Sequence, residues 1–557
     1  MTHFAYILRR VLRLPSLSSL CRLARMPITR LAIRLGMQPG SRLAIRLGTQ
    51  PGTQPTTRLG VRPATRLLDF RLASLALPLL TLCVTSCAII HHDSPPAAMI
   101  APQQIRLADD IHLANEGWPS ARWWEQYHDP QLNTLVDLAL AHAPSLAIAR
   151  EHVAQAHAQV ELIQAAAGLQ MSALAEADRE HVSDHGFLSA YASHDPAIGA
   201  YGPWYWTGLI GVDAHYDIDI WGKQRDLVRA AIGEQNARRA EAAQAELELS
   251  AGVAQLYYSI QITYTSIDLL RQLREVRAFE LDTRSARHGR GLEALTQTAQ
   301  ARSQVLAIDQ QIASSEEQIV HAREALRALA GVGSDDLPAI APVPLPAPSG
   351  SLPSTLSYEL LARRPDLQAM RWLVQASFDK IDASKAAFYP SFDITAFFGF
   401  NALRMRDLFL HSSQQINLIP GLTLPIFDGG RLNANLHGAR SASNTLIEQY
   451  DQAVLDAVRD VAQGGSAIDD LDHRAHLQRD RIDALRFASD SAEASYQIGL
   501  GDRMSAMQAK APVIAGRLEL VQLTGDEIEA GIVLTRALGG GYRSDDLPGA
   551  SASTNKP

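Results

Sequence analysis

The 557-residue chain has 51 basic and 59 acidic side chains and 46% hydrophobic residues, a balance that excludes neither a globular enzyme nor a barrel with a polar lumen. Position says more than the totals: residues 1–86 hold thirteen Arg, no Lys and one acid, Asp69, which leaves 38 basic against 58 acidic side chains, a formal charge of −20, from Cys87 onward. That sign argues against a nucleic-acid partner for this portion, since phosphate binding needs the opposite charge, and with cysteines only at Cys21, Cys83 and Cys87 no disulfide framework or cysteine zinc site can be built downstream.

The leader, residues 1–71, contains a 12-residue repeat, "RLGMQP" at Arg34, "RLGTQP" at Arg46 and "RLGVRP" at Arg58. Gly and Pro in each unit prevent a continuous helix, so this stretch reads as low-complexity sequence or as translation upstream of a later start, Met26 being one alternative. Residues 72–90 then carry no charge, and "VTSC" at Val84 to Cys87 resembles a bacterial lipobox. Basic stretch, apolar run and small residues follow the order of a secretory signal, so residues 72–86 are expected to be removed and Cys87 to carry the lipid. A membrane span is the rival reading, since nineteen uncharged residues just suffice, but the polar, Pro-rich sequence after Ile90 favours the signal. Ala88, not an aspartate, follows the cysteine, which by resemblance to other lipoproteins favours the outer membrane. Residues 87–122 are then a lipidated linker.

Beyond it the chain repeats itself. "HAPSLAIA" at His142 recurs as "RRPDLQAM" at Arg363, "DIWGKQR" at Asp219 as "FDGGRLN" at Phe427, and "RHGRGLEAL" at Arg287 as "YQIGLGDRM" at Tyr496. This predicts two copies of one plan, residues 123–337 and 354–542, joined by a Pro-rich linker at 338–353 and followed by a disordered tail at 543–557. Each copy is expected to hold a helix, two strands and two long helices. No proline occurs from Trp204 through Leu337 or from Ile426 through Ala511. A single helix from Lys223 to about Arg287 would be roughly 97 Å long at 1.5 Å per residue, with the glycine-rich "HGRG" and "GLG" as hairpin tips.

Strands are expected where apolar and polar residues alternate: 169–179, 210–219, 392–400 and 416–426. Ile210, Val212, Ala214, Tyr216 and Ile218, for example, interleave with Gly211, Asp213, His215, Asp217 and Asp219. About ten residues of such alternation marks an outer-membrane strand or a half-buried strand of a soluble sheet. Four strands cannot close a barrel and an open edge is forbidden in lipid, so in the membrane reading oligomerisation is the way out, three chains giving twelve strands.

"WWEQYHDPQLNTLVDLALAHAPSL", "DIDIWGKQR", "LPSTLSYELLARRPDL", "YPSFDITAFFGF", "LPIFDGGRL", "YQIGLGD" and "ALGGGY", in that order, resemble the blocks of the TolC-like outer-membrane efflux family, in its lipoprotein branch of the OprM and NodT type. The resemblance implies a mainly α protomer, internally duplicated, whose homotrimer forms a 12-stranded transmembrane β-barrel and a long periplasmic α-helical tunnel. It implies an exit duct of a tripartite efflux pump that passively conducts small molecules such as drugs, without cofactor, with a periplasmic adaptor and an inner-membrane transporter as partners. Adaptor docking falls on the tips: His288, Gly289, Gly291 and Leu292 in the first copy, Gly499, Leu500, Gly501 and Asp502 in the second. Helix capping by glycine would account for the same residues. The family commonly places an aspartate ring at the periplasmic gate; the matching position is Gln508, with Ser505 one turn earlier, and the nearest acid, Asp502, is either its substitute or a solvated charge. Pro512 is expected to kink the returning helix near this entrance.

Two other functions compete with the duct. A periplasmic enzyme would have to use Glu180, His181 and His185, or His473 and His476, whose spacings match no metal or general-base motif, so no catalytic or metal residue is assigned. A structural periplasmic coiled-coil lipoprotein without conduction is the alternative, but it has no use for four alternating strands.

Overall fold

The computed structural model describes residues 97–99, 118–198, 200–346 and 363–543. The leader, the signal segment, Cys87, residues 347–353 of the linker and the tail from residue 544 lie outside the described residues.

Two helices open the first half, α1 (Pro130–His142) and α2 (Pro144–Ala167), where one was expected. Pro144 ends α1, because the residue before a proline is driven to extended backbone, and Ala143 sits at φ −60, ψ 125. Then come strand β1 (Gln170–His181), the two-residue strands β2 (His194–Asp195) and β3 (Ala200–Tyr201), strand β4 (Trp204–Ile218), and helices α3 (Lys223–Gly289) and α4 (Leu295–Ala330). The second half contributes α5 (Pro365–Ala386), β5 (Ser391–Ala402), β6 (Gln414–Thr423), α6 (Arg431–Gln497), α7 (Arg503–Gln508) and α8 (Lys510–Ala537). α3 and α6 are each 67 residues long. Among the described residues no single helix is long and apolar enough to cross a membrane.

Both long helices leave the sheet through the same device. Asp219 accepts a hydrogen bond from the Arg225 backbone N–H at 2.8 Å, and Asp428 accepts from those of Gly430 and Leu432 at 2.9 and 2.7 Å, so a carboxylate satisfies N–H groups that the first helical turn leaves without partners. α3 is the spine, packed against α1, α2, α4, α5, α7 and α8. Around its middle a core of Trp123, Leu132, Tyr257, Tyr258 and Ile260 closes over Asp129, which caps α1 through the Gln131 N–H and accepts the Tyr257 hydroxyl at 2.5 Å. A second core, with Leu367, Ile447, Val454, Val461 and Leu534, joins α5, α6 and α8. The start of the linker is extended but held: Gln261, fully buried, donates to the Ala341 carbonyl and accepts from the Val343 N–H, while Ile340 enters the first core.

The four long strands make one antiparallel sheet in the order β1-β4-β5-β6. Its rows are in register from edge to edge, for example Ala173, Val212, Phe398 and Ile416. Each edge strand, β1 and β6, has one neighbour in this sheet.

Candidate functional site: a two-faced sheet and two helical tips

Side chains alternate across a strand, so the register assigns every residue to a face. One face presents Met171, Val212, Phe398, Ile416, Leu418 and Leu422, and these are largely exposed, Leu418 at 72%. The other presents Ser172, Glu176, Asp213, Asp217, Asp393 and Thr395, with Ser172 donating to Asp213 at 2.6 Å and His215 beside Thr395 at 3.3 Å. A soluble sheet covers its apolar face; this one leaves it open and hydrogen-bonds its polar face. At the helix end of the sheet Trp221 stacks on Tyr389 at 4.8 Å and donates to the Pro390 carbonyl. Aromatic rings with one polar handle in that position suit a membrane boundary.

The two tips are built alike. In the first, the Gly291 N–H bonds back to His288 and the Leu292 N–H to Arg287; in the second, the Gly499 N–H bonds to Tyr496 and the Leu500 N–H to Ser495. This paired pattern with a left-handed residue is the glycine-terminated helix end, and Gly291 and Gly499 have φ of +72 and +75, where a side chain is strained. In that motif the residue after the glycine usually folds back on the helix as an apolar contact. Here Leu292 and Leu500 stay 74% and 82% exposed, as does Ile498 at 71%. Gly289 and Gly501 complete the turns, and His288 Nδ1 lies 3.0 Å from the Glu293 carbonyl.

Just behind the tips the hairpins touch. Glu280 of α3 is buried, and its carboxylate accepts from Arg277 at 3.0 Å, Arg284 at 2.9 Å and Gln508 at 3.1 Å. Burial pushes the Glu280 carboxyl up, but the hydrogen bonds and charges of Arg284 and Arg277 outweigh it and hold it below its ordinary value. Arg284 also reaches Glu293 at 2.6 Å, Arg503 stands 4.9 Å over the Phe279 ring, and Leu269, Val276, Ala511 and Ile514 form an apolar patch beside them.

Of the residues singled out by sequence, Gln508 thus faces a carboxylate from another helix. Asp502 caps α7, accepting the Ser505 N–H at 2.8 Å and its hydroxyl at 3.1 Å; the Ser505 N–H and then its hydroxyl hold the Asp502 carboxyl below its ordinary value. Ser505 is therefore engaged in the cap. At Pro512 the returning helix is interrupted at one residue, Ala509, whose backbone stays right-handed helical at φ −65, ψ −18, since the proline offers no N–H to the Gln508 carbonyl and its ring crowds it. Sequence reasoning missed Glu280, whose bond to Gln508 spans 228 positions, and with it Arg277 and Arg284. The histidines do not converge: His181 ends β1 edge-on to Trp204, His185 lies in the following loop, and His473 and His476 lie on α6. Among the described residues no group of three or more His, Cys, Asp or Glu is placed to hold a metal.

A family model described as outer membrane efflux protein matches residues 135–332 and 356–540. The chain is 49% identical over 464 residues to the multidrug resistance outer membrane protein MdtP of Escherichia coli O6:H1, covering 83% of this chain and 95% of that protein. It is 38% identical over 473 residues to the multidrug resistance outer membrane protein MdtQ of Escherichia coli O157:H7, covering 83% and 97%. The solved outer membrane protein VceC of Vibrio cholerae matches with a TM-score of 0.67 at 28% identity, over 76% of this chain and 100% of that one. An exposed apolar sheet face, a polar face behind it and long helical hairpins agree with these relations: the chain belongs to the outer membrane efflux protein family and serves as an efflux duct of the outer membrane.

Proposed function

We propose that three copies join into a 12-stranded barrel, extend a helical tunnel into the periplasm, and passively conduct small molecules such as drugs outward from an inner-membrane transporter through a periplasmic adaptor. The observation that carries this reading is the sheet: an open apolar face, a polar face, and two edges with unused backbone groups. Those edges are not tolerable in lipid. Because β1, β4, β5 and β6 alternate in direction throughout, β6 of one copy meets β1 of the next antiparallel, and the alternation continues around a closed ring. The polar face then lines the lumen. The equal length of α3 and α6 supports two copies of one plan at 123–337 and 354–542, and an acylated Cys87 would hold each subunit at the membrane before closure.

Reconstitution in a planar bilayer tests the duct: stepwise single-channel currents are expected, and a protein that inserts as a trimer yet never conducts would sink the reading in favour of the structural lipoprotein. The docking role of His288, Gly289, Gly291, Leu292, Gly499, Leu500, Gly501 and Asp502 rests on the two exposed leucines. Leu500→Asp is the cleaner probe, since any side chain at Gly499 also meets a strained φ. The variant is expected to insert and conduct normally while binding the adaptor about tenfold more weakly or worse, as loss of an apolar anchor does; unchanged adaptor affinity would remove the tips from the interface.

A further inference from the structure

The outer end of the apolar sheet face carries charge where the rest of that face has none. Along the β1 and β4 ladder, the last rows on this face are Arg179 opposite Trp206 and His181 opposite Trp204. The Arg179 guanidinium stands 4.8 Å from the Trp204 ring and 5.5 Å from that of Trp206, and both indoles are half exposed. The loop between β5 and β6 folds down on the same face. Phe409 lies 6.3 Å from Phe400, and a Cβ at Gly208 would meet Leu408 and Met405 at 3.1 to 3.2 Å, so the loop's close seat depends on the glycine. That loop brings Arg404, bridged to Trp206 and 4.1 Å above the Tyr201 ring, and Arg406, whose side chain is 73% exposed. Tyr201, Trp204, Trp206, Arg404 and Arg406 border an open recess of about 630 Å³.

The charges there do not cancel. Asp407 is shared between Arg404 at 2.7 Å and Arg406 at 3.6 Å. Among the described residues Arg179 makes no ion pair, and its neighbours Asp178 and Glu180 project to the polar face by alternation. Three guanidiniums thus stand with one carboxylate at the edge of a surface that faces hydrocarbon. A guanidinium there lacks full hydration, and its planar fork matches phosphate oxygens, while indoles favour the same depth.

We propose that this rim binds the phosphate of a phosphorylated glycolipid in the outer leaflet, held by Arg179, Arg404 and Arg406, with its acyl chains lying down the apolar face toward the row of Val212 and Phe398. The inference rests on the barrel reading above, which makes this the lipid-facing surface and puts the loop end outside. Its test uses the full-length protein, wild type and the Arg179→Gln, Arg404→Gln, Arg406→Gln triple variant, in two arms. In the first, both proteins are floated with phosphatidylcholine vesicles; failure of the wild type to insert would sink the barrel reading and the rim with it. In the second, diphosphoryl lipid A and its dephosphorylated form are titrated into detergent-solubilised protein and bound lipid is counted by native mass spectrometry. The wild type is expected to prefer the diphosphoryl form by about tenfold, the loss of charged hydrogen bonds setting the scale, and the triple variant to show no preference. Insertion without that preference, a triple variant that keeps it, or displacement of the lipid by millimolar inorganic phosphate would each overturn the lipid site while leaving the barrel standing.

Discussion

The two hairpins start from helices of equal length and part company where they turn back. α3 returns as α4, one unbroken helix of 36 residues, tied across by Arg271 to Glu316 at 3.2 Å and by Arg274 to Asp309. α6 returns as six residues of α7, a break at Ala509, and then α8. Each hairpin also buries a glutamate, with opposite consequences. Glu280 on the first receives Arg277, Arg284 and Gln508; Glu527 on the second is 3% exposed and, among the described residues, neither of its carboxylate oxygens has a hydrogen-bond partner. Among these residues Thr298 and Glu293 leave single buried oxygens without partners on the first hairpin, but only the second combines an interrupted helix with a carboxylate that has no partner on either oxygen. Opening of the entrance is expected to be a movement of the second hairpin away from a static first one, a population shift that adaptor docking biases.

Removing the joint is the harshest test of that contrast. Pro512→Ala restores an N–H that can bond the Gln508 carbonyl and should let α7 and α8 run on as one helix, as α4 does. A proline inside a helix costs about 3 kcal/mol, so the variant is expected to gain up to that much in thermal stability and to open less. Unfolding midpoints and single-channel open probability report the two effects. A variant as easily opened as the parent would place the joint elsewhere.

Much of the architecture was legible because it is local. Alternation locates β4, β5 and β6, and the absence of proline allows long helices in both copies, with the glycine tip placing the end of α3 near Arg287, since these signals come from the segment itself. The tips are legible too, because only a residue tolerant of positive φ ends a helix this way and Gly291 and Gly499 stand there. β1 reads less cleanly because Ala173 and Ala175 occupy its apolar face and give little contrast with the polar one. The contact behind the tips was not legible. Gln508 attracts notice only as a missing acid on its own helix; that α3 supplies a carboxylate is a fact of helix packing, and no local pattern encodes it. Asp502 is exposed, as a solvated charge would be, and also caps α7, a role its spacing to Ser505 does encode.

The glutamate of the second hairpin gives the next test. Burial raises the Glu527 carboxyl above its ordinary value of 4.5; Arg479 and His476 of α6 pull it down and Asp472 pushes it up. A raised folded value means that the unfolded chain ionises first, so stability falls as pH rises from 4.5 through the folded value. Glu527→Met, similar in shape and without charge, should abolish that slope. The variant is expected to be more stable than the parent by about 1–3 kcal/mol at neutral pH, the cost of an unsatisfied buried polar group, with a smaller advantage below pH 4.5, where the parent carboxyl is neutral but still without a partner. Denaturant titrations at two pH values read this directly. A loss of stability at neutral pH would mean that the carboxylate is paired in the assembled tunnel, and the asymmetry between the hairpins would narrow to the joint alone.

The smallest effect belongs to the tie between the hairpins. Glu280 has a lowered folded value, so its contribution is fully present above 4.5 and is lost as pH falls through that lower value, the reverse of Glu527. Glu280→Gln keeps the shape and can still accept from Gln508, but gives up the charge that Arg277 and Arg284 face. About 1 kcal/mol of the tie is expected to go at neutral pH and none in strong acid, where the parent carboxyl is itself protonated. The loss should appear as more frequent channel openings in a planar bilayer at neutral pH, with wild type and variant converging as pH is lowered. Because Gln508 bonds Glu280, Gln508→Ala should add little once Glu280 is replaced. A double variant that opens as the sum of the two singles would show that they act apart, and would leave the apolar contact of Leu269, Val276, Ala511 and Ile514 as what holds the second hairpin to the first.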